Sequence, residues 1–198
     1  MTGDIRTVVV ATEPGKGFPS CRWLLPWGGT TLLGHVLTNV RAWGLGEGLL
    51  ILGEHADEVV DRVDFSGFSA IIDPEWSEGS AASLRTGFDL LQRETETTAA
   101  LVVSAALPSL PTGVVNVLLA AAEDSDRPAI VPKYRYAIGE PVLLVRWLWP
   151  QLVGVERTAS LANALEAHPD WIEEVWIDQL PPVRVDTPEA FSRIAPRR

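Results

Sequence analysis

The sequence predicts an α/β fold: three layers, α/β/α and Rossmann-like, on a mostly parallel sheet with an antiparallel excursion near the C-terminal half. Three observations lead there. Apolar runs rich in branched residues, as in residues 5–11, 48–53 and 99–105, lack polar alternation and so read as strands covered on both faces. Segments with apolar residues at helical spacing separate them, supplying the crossovers that parallel strands require. Late in the chain two apolar runs come too close together for a helical crossover.

Residues 5–11 open the chain as a buried strand, and residues 12–30 follow as a long loop with Pro14, Pro19, Pro26, Gly15, Gly17, Gly28 and Gly29. A loop of this length is usually functional. Residues 31–43 carry Leu32, Leu33, Val36, Leu37 and Val40 on one helical face, with Gly44 as a stop. A strand at 48–53, a short acidic helix at 55–63 and a strand at 68–73 closed by Pro74 come next. Residues 79–93 form a helix opening on small residues, 99–105 a strand, and 111–123 a helix. The runs 129–133 and 142–147, joined by residues 134–141, predict a hairpin near a sheet edge. A helix at 160–167 capped by Thr158 or Ser160, a strand at 171–178 and a helix at 187–194 with Pro188 in its first turn complete the chain. No repeat or linker divides residues 1–198, so a single domain is expected.

At 198 residues the chain can bury roughly 70% of its unfolded surface without a disulfide or metal staple. Its one cysteine, Cys21, permits no internal disulfide, and the first residues lack a basic segment followed by an apolar one. A cytoplasmic location is therefore expected, and no run approaches the length of a membrane span. The net charge of −10 argues against a nucleic-acid partner, since phosphate binding depends on Lys and Arg. His35, His55 and His168 have no ligand-like spacing and read as structural or solvated. The eight tryptophans read as core or, in the C-terminal half, as a surface for a protein partner or a homo-oligomer; Trp23 and Trp27 would block a pocket or stack on a ligand.

Two stretches carry the chemistry. The loop after the first strand contains Gly15-Lys16-Gly17 but neither standard phosphate motif. Residues 78–87, Glu78-Gly79-Ser80-Ala81-Ala82-Ser83-Leu84-Arg85-Thr86-Gly87, begin a helix with small side chains. Such a start lets a ligand approach backbone N–H groups, or lets the helix lie close on the sheet. With Ala11, the tail Arg22-Trp23-Leu24-Leu25-Pro26 and Gly28-Gly29, and with Gly139-Glu140-Pro141-Val142 and Asp186-Thr187-Pro188-Glu189, these stretches resemble the MobA-like nucleotidyltransferases. That family includes the molybdopterin guanylyl- and cytidylyltransferases. Its patterns are A-A-G-x-S-x-R-x-G-x-x-K-x-L-L-P, E-G-x-A-x-S-L-R-x-G, G-H-P-V and D-x-D-T-P-E.

The resemblance implies a nucleotide-diphospho-sugar-transferase-like fold and a nucleotide or nucleotide-conjugate ligand. It places Ala11, Gly15, Lys16, Gly17, Gly79, Ser80, Ser83 and Arg85 around the nucleotide, Arg22 and Asp186 at the reaction centre, and Mg²⁺ on Asp186 if the protein is active. The chain also departs from the pattern. Glu13 stands for a loop glycine, Gly17 for the arginine, Pro19 for a later glycine and Arg22 for the lysine, while Pro14 removes a possible N–H donor. Ala106 stands for the metal-binding aspartate of G-D-x-P, Arg184 for the first aspartate of D-x-D-T-P, and Ala190 for the acid after D-T-P-E. A carboxylate about 4 Å from a phosphate oxygen costs on the order of 4 kcal/mol at an effective dielectric near 20. The expectation is a degenerate transferase with weak or no NTP chemistry and a binding or regulatory role. Alternatives are a divergent active nucleotidyltransferase and an assembly protein.

Overall fold

The computed structural model describes residues 4–94, 96–135, 137–153 and 160–196. Its framework is a seven-stranded sheet in the order β5-β4-β1-β6-β8-β7-β9, formed by β1 (Asp4–Ala11), β4 (Gly48–Leu52), β5 (Phe68–Ile72), β6 (Thr97–Ser104), β7 (Ala129–Lys133), β8 (Val142–Val145) and β9 (Ile172–Trp176). A separate ribbon pairs β2 (Pro26–Trp27) with β3 (Thr30–Thr31). The helices are α1 (Leu32–Arg41), α2 (Ala56–Arg62), α3 (Ser80–Leu91), α4 (Thr112–Asp124), α5 (Trp149–Val153), α6 (Leu161–Glu166) and α7 (Pro188–Ile194).

Pleating alternates successive side chains across the sheet, so an unbroken apolar strand feeds two cores. Val9 and Ala11 of β1 join α1, α2 and α4 on one face, through Leu33, Leu37, Val59, Val115 and Leu118. Val8 and Val10 join α3, α5 and α6 on the other, through Phe88, Leu91, Trp149 and Leu165. Burying each such side chain contributes about 1.5–3 kcal/mol. The second core is keyed by Trp149, fully buried and stacked on Phe88 at 5.2 Å, with its Nε1 donating to the Leu144 carbonyl at 3.1 Å. Gly87 lets α3 approach the sheet: a Cβ there would lie 2.7 Å from Ile51 Cδ1.

β8 runs antiparallel to both β6 and β7, whereas β1, β4, β5 and β6 are parallel, as are β7 and β9. The expected hairpin is present, but the reversed strand lies inside the sheet, with β9 outermost. The helices begin and end near their expected bounds. Thr31, Ser160 and Thr187 cap α1, α6 and α7 by accepting from the N–H three residues on, while Thr158 lies outside the described residues.

Three expectations need correction. Residues 12–30 are not an open loop throughout: a 3₁₀ turn at Arg22–Leu24 and the β2–β3 ribbon fold their second half. The apolar run 142–147 stops being a strand at Val145, because Arg146–Leu148 turns and Pro150 takes an early place in α5, where its missing N–H is not needed. Trp23 and Trp27 are buried rather than presented as an open stacking surface, although Trp27 also borders a surface recess with Phe191 and Pro196. Both are core residues, Trp23 beneath the Arg22 guanidinium at 4.2 Å and Trp27 against His35 and Phe191. In the C-terminal half, Trp149 is buried while Trp147 and Trp176 are exposed.

Candidate functional site

Parallel sheets open a crevice where neighbouring crossovers leave to opposite faces. β1 lies at that point, between β4 and β6, and the described residues form a cavity of about 400 Å³ at its carboxyl end. Val10, Leu84, Val102, Leu161 and Leu165 make most of its wall apolar, while Glu13, Arg22, Ser104, Glu140 and Arg184 form a charged end. That size and mixture suit the body of a small organic ligand.

The charged end is a chain of ion pairs. Arg22, 1% exposed, donates from Nε to the Glu13 carbonyl at 3.0 Å, and from Nη1 to the Val185 carbonyl at 2.8 Å and Asp186 Oδ1 at 3.0 Å. Arg184 donates from Nε to Asp186 Oδ2 at 3.0 Å, from Nη1 to Glu140 Oε1 at 2.6 Å and from Nη2 to Ser104 Oγ at 3.2 Å. The Ser104 N–H donates to Glu140 Oε2. Burial disfavours the charged form of each group. It prevails for Glu140, whose carboxyl is pushed above the ordinary carboxylate range against the pull of Arg184. At Asp186 the guanidinia of Arg184 and Arg22 outweigh burial and hold the carboxyl low, and at Arg184 the carboxylates of Glu140 and Asp186 outweigh it and hold the guanidinium high. Arg22 is moved down by burial despite Asp186.

The structure divides the expected site residues. Arg22 and Asp186 meet at the charged end, and Ser80 lines the cavity. Ala11 is a core residue at the end of β1. Gly15, at φ +79°, bends the loop around Arg22, so that a Cβ would lie 2.8 Å from Arg22 Cδ. Lys16 and Gly17 are exposed, and the Lys16 N–H donates to the Asp186 carbonyl at 3.0 Å. Gly79, at φ +106°, turns the chain into α3. Ser83 is fully buried and donates to Thr12 Oγ1 at 3.0 Å, joining α3 to the loop. Arg85 does not reach the cavity: it pairs with Glu75 at 3.5 Å beside a separate recess with Phe88 and Leu152.

The donors at this centre do not fit a divalent cation. Each carboxylate oxygen of Glu140 and Asp186 already accepts from an arginine or a backbone N–H. Among the described residues no three His, Cys, Asp or Glu side chains gather as a metal set. Ala106 is fully buried, and its carbonyl accepts from the Val185 N–H at 2.8 Å. Cys21 is buried, which pushes its thiol up and leaves it a poor nucleophile.

Sequence reasoning assigned no role to Glu140 or Arg184. A signal was present: Glu140 replaces the histidine of G-H-P-V and Arg184 replaces an aspartate. Two departures of opposite sign, 44 residues apart, are what a new ion pair leaves in a sequence.

Residues 7–172 match the family described as MobA-like NTP transferase domain. Among solved structures, Rv0371c from Mycobacterium tuberculosis H37Rv is similar, with TM-score 0.85, 22% identity and 98% of each chain covered. A complex of Rv0371c with manganese aligns at TM-score 0.81 and 21% identity, covering 97% of this chain and 98% of that one. A nucleotidyl transferase from Methanothermobacter thermautotroptrophicus aligns at TM-score 0.76 and 17% identity, covering 96% and 95%. At these identities the likeness shows the fold. A search of curated proteins gives no match. No described helix is long and apolar enough to cross a membrane.

Proposed function

We propose, on the premise that this chain belongs to the MobA-like NTP transferase family, that it is a ligand-binding member with weak or no nucleotidyl transfer of its own. The chain has a cavity at the carboxyl end of β1, and what enters it is the least charged part of a nucleotide or nucleotide conjugate, a base or an apolar group. The observation that carries this reading is the charge at the cavity's polar end, where Glu13, Glu140 and Asp186 stand against Arg22 and Arg184. A wall with no surplus of positive charge opposes a triphosphate. A divalent ion that would correct the deficit finds every carboxylate oxygen of Glu140 and Asp186 already bonded, leaving only Glu13, 4.0 Å from Arg22, to hold it.

A divergent active transferase is favoured by one observation, the exposed Lys16 on a loop tied to Asp186, together with the manganese complex of the similar Rv0371c. Two measurements separate the readings. Thermal unfolding against nucleoside triphosphates, nucleosides and nucleoside diphosphate conjugates, with and without Mg²⁺, reports binding, because a ligand of the native state raises the Tm by mass action. Pyrophosphate release from each triphosphate reports turnover. The proposed reading expects Tm shifts from nucleosides or conjugates that are indifferent to Mg²⁺, with no pyrophosphate; Mg²⁺-dependent pyrophosphate release overturns it.

A further inference from the structure

Arg184 stands between two carboxylates that come from different parts of the chain. Glu140 lies just before β8 and Asp186 just before α7, and the guanidinium spans them with Nη1 on one at 2.6 Å and Nε on the other at 3.0 Å. Without it, two acidic groups would face each other at the rim of a largely apolar cavity, an arrangement that is costly unless a cation lies between them. Their outer oxygens are fixed independently, Glu140 Oε2 by the Ser104 N–H and Asp186 Oδ1 by Arg22. The pair is therefore held in place from behind and open towards Arg184.

We propose that Arg184 is the resident cation of this site: its guanidinium takes the place between Glu140 and Asp186 that an exchangeable divalent ion would fill, and makes the polar end of the cavity independent of metal. A guanidinium has five N–H donors, of which three are used on Asp186, Glu140 and Ser104. One N–H on each Nη is left. The Arg184 side chain is 37% exposed and lines the cavity, so these donors suit a neutral acceptor on a ligand, such as a carbonyl or ring nitrogen. A phosphate is less suited, because the charge of Arg184 is already balanced by its two carboxylates. The inference takes its cavity from the ligand-binding reading but does not rest on the absence of turnover.

The test uses the full chain and Mn²⁺ alone, followed by the loss of the free-ion signal in electron paramagnetic resonance. The wild type is expected to bind no more tightly than millimolar. Arg184→Asn removes the resident charge, adds a carbonyl donor and is expected to gain at least tenfold in Mn²⁺ affinity; the double variant Arg184→Asn/Glu140→Gln is expected to lose that gain. Should Arg184→Asn unfold without metal, its Tm is expected to rise with added Mn²⁺, and that of the double variant not to. Micromolar Mn²⁺ binding by the wild type, no gain in either readout for Arg184→Asn, or a gain that survives Glu140→Gln would each overturn the inference. Metal-free turnover of a nucleoside triphosphate would overturn the proposed function and leave this inference standing.

Discussion

Arg22 and Arg184 hold opposite oxygens of the same carboxylate, Asp186, yet they belong to different regions. Arg22 lies inside the loop after β1, 1% exposed, with Trp23 beneath it and two backbone carbonyls among its acceptors. Arg184 lies at the cavity rim, and every acceptor recorded for it is a side chain. A bond to a main-chain carbonyl 163 residues away, as from Arg22 to Val185, fixes how the chain is folded. Bonds to carboxylates and a hydroxyl fix only how a few side chains are arranged. The same residue type thus acts as a clamp in one place and as site chemistry in the other.

Substituting each arginine is the strongest way to break that contrast. Arg22→Met leaves the Glu13 and Val185 carbonyls without their donor and should cost about 3 kcal/mol, a Tm loss of roughly 6–12 °C for a chain of this size. Arg184→Met strands no main-chain carbonyl, and Glu140 can relieve the two facing carboxylates by taking up a proton, so it should cost less, about 1–2 kcal/mol. Equal losses in chemical denaturation would erase the distinction.

A smaller effect sharpens the description of the clamp. Gly15 and Gly29 both have positive φ, +79° and +88°, but a Cβ at Gly15 would meet Arg22 Cδ at 2.8 Å and one at Gly29 would meet nothing within 4 Å. Both alanine variants pay the left-handed backbone term of about 1–2 kcal/mol. Gly15→Ala should lose measurably more in the same denaturation experiment, and equality would mean that the loop is not wrapped around Arg22.

The smallest effect is in the pH dependence. The raised Glu140 carboxyl binds its proton more tightly folded than unfolded, so stability should rise as pH falls through its folded pKa towards the unfolded value of 4.5. The depressed Asp186 carboxyl acts in the opposite sense. Its contribution is present above its unfolded value of 3.8 and is lost as pH falls through the lower folded one. Glu140→Gln should flatten the upper branch and leave the acid branch; an unchanged profile would remove Glu140 from the account.

The sequence carried the fold better than the site, for physical reasons. Strands such as residues 99–105 advertise themselves because burial on both faces forbids polar residues, and α1 does so through a stripe that ends at Gly44. The run 142–147 misled because Trp and Leu suit a strand and a turn into a helix alike, and the Pro150 signal comes only after the turn. At the site, the pattern around Arg22 and Asp186 was local enough to read. The pairing of Arg184 with Glu140 left only two departures of opposite charge, since an ion pair that closes only in three dimensions imposes no spacing. Arg85 shows the converse: a motif position was legible, while the contact with Glu75 that turns its side chain away from the cavity was not.

The reversed strand β8 has one more consequence. β6 and β7 are not neighbours, and β7 is joined to the rest of the sheet through the register pairs Ala129↔Leu144 and Ile130↔Leu143 of β8, with β9 attached in turn to β7. With β8 as their only link to the other strands of the sheet, β7 and β9 are expected to open together with it, as one unit below the global unfolding free energy. Amide protons of β7, β8 and β9 should therefore exchange with a common protection, lower than that of β1 and β4. Glu140 is separated from β8 by a single residue, so the same opening would undo the polar end of the cavity. The lifetime of a bound ligand would then be limited by how long a piece of the sheet stays closed.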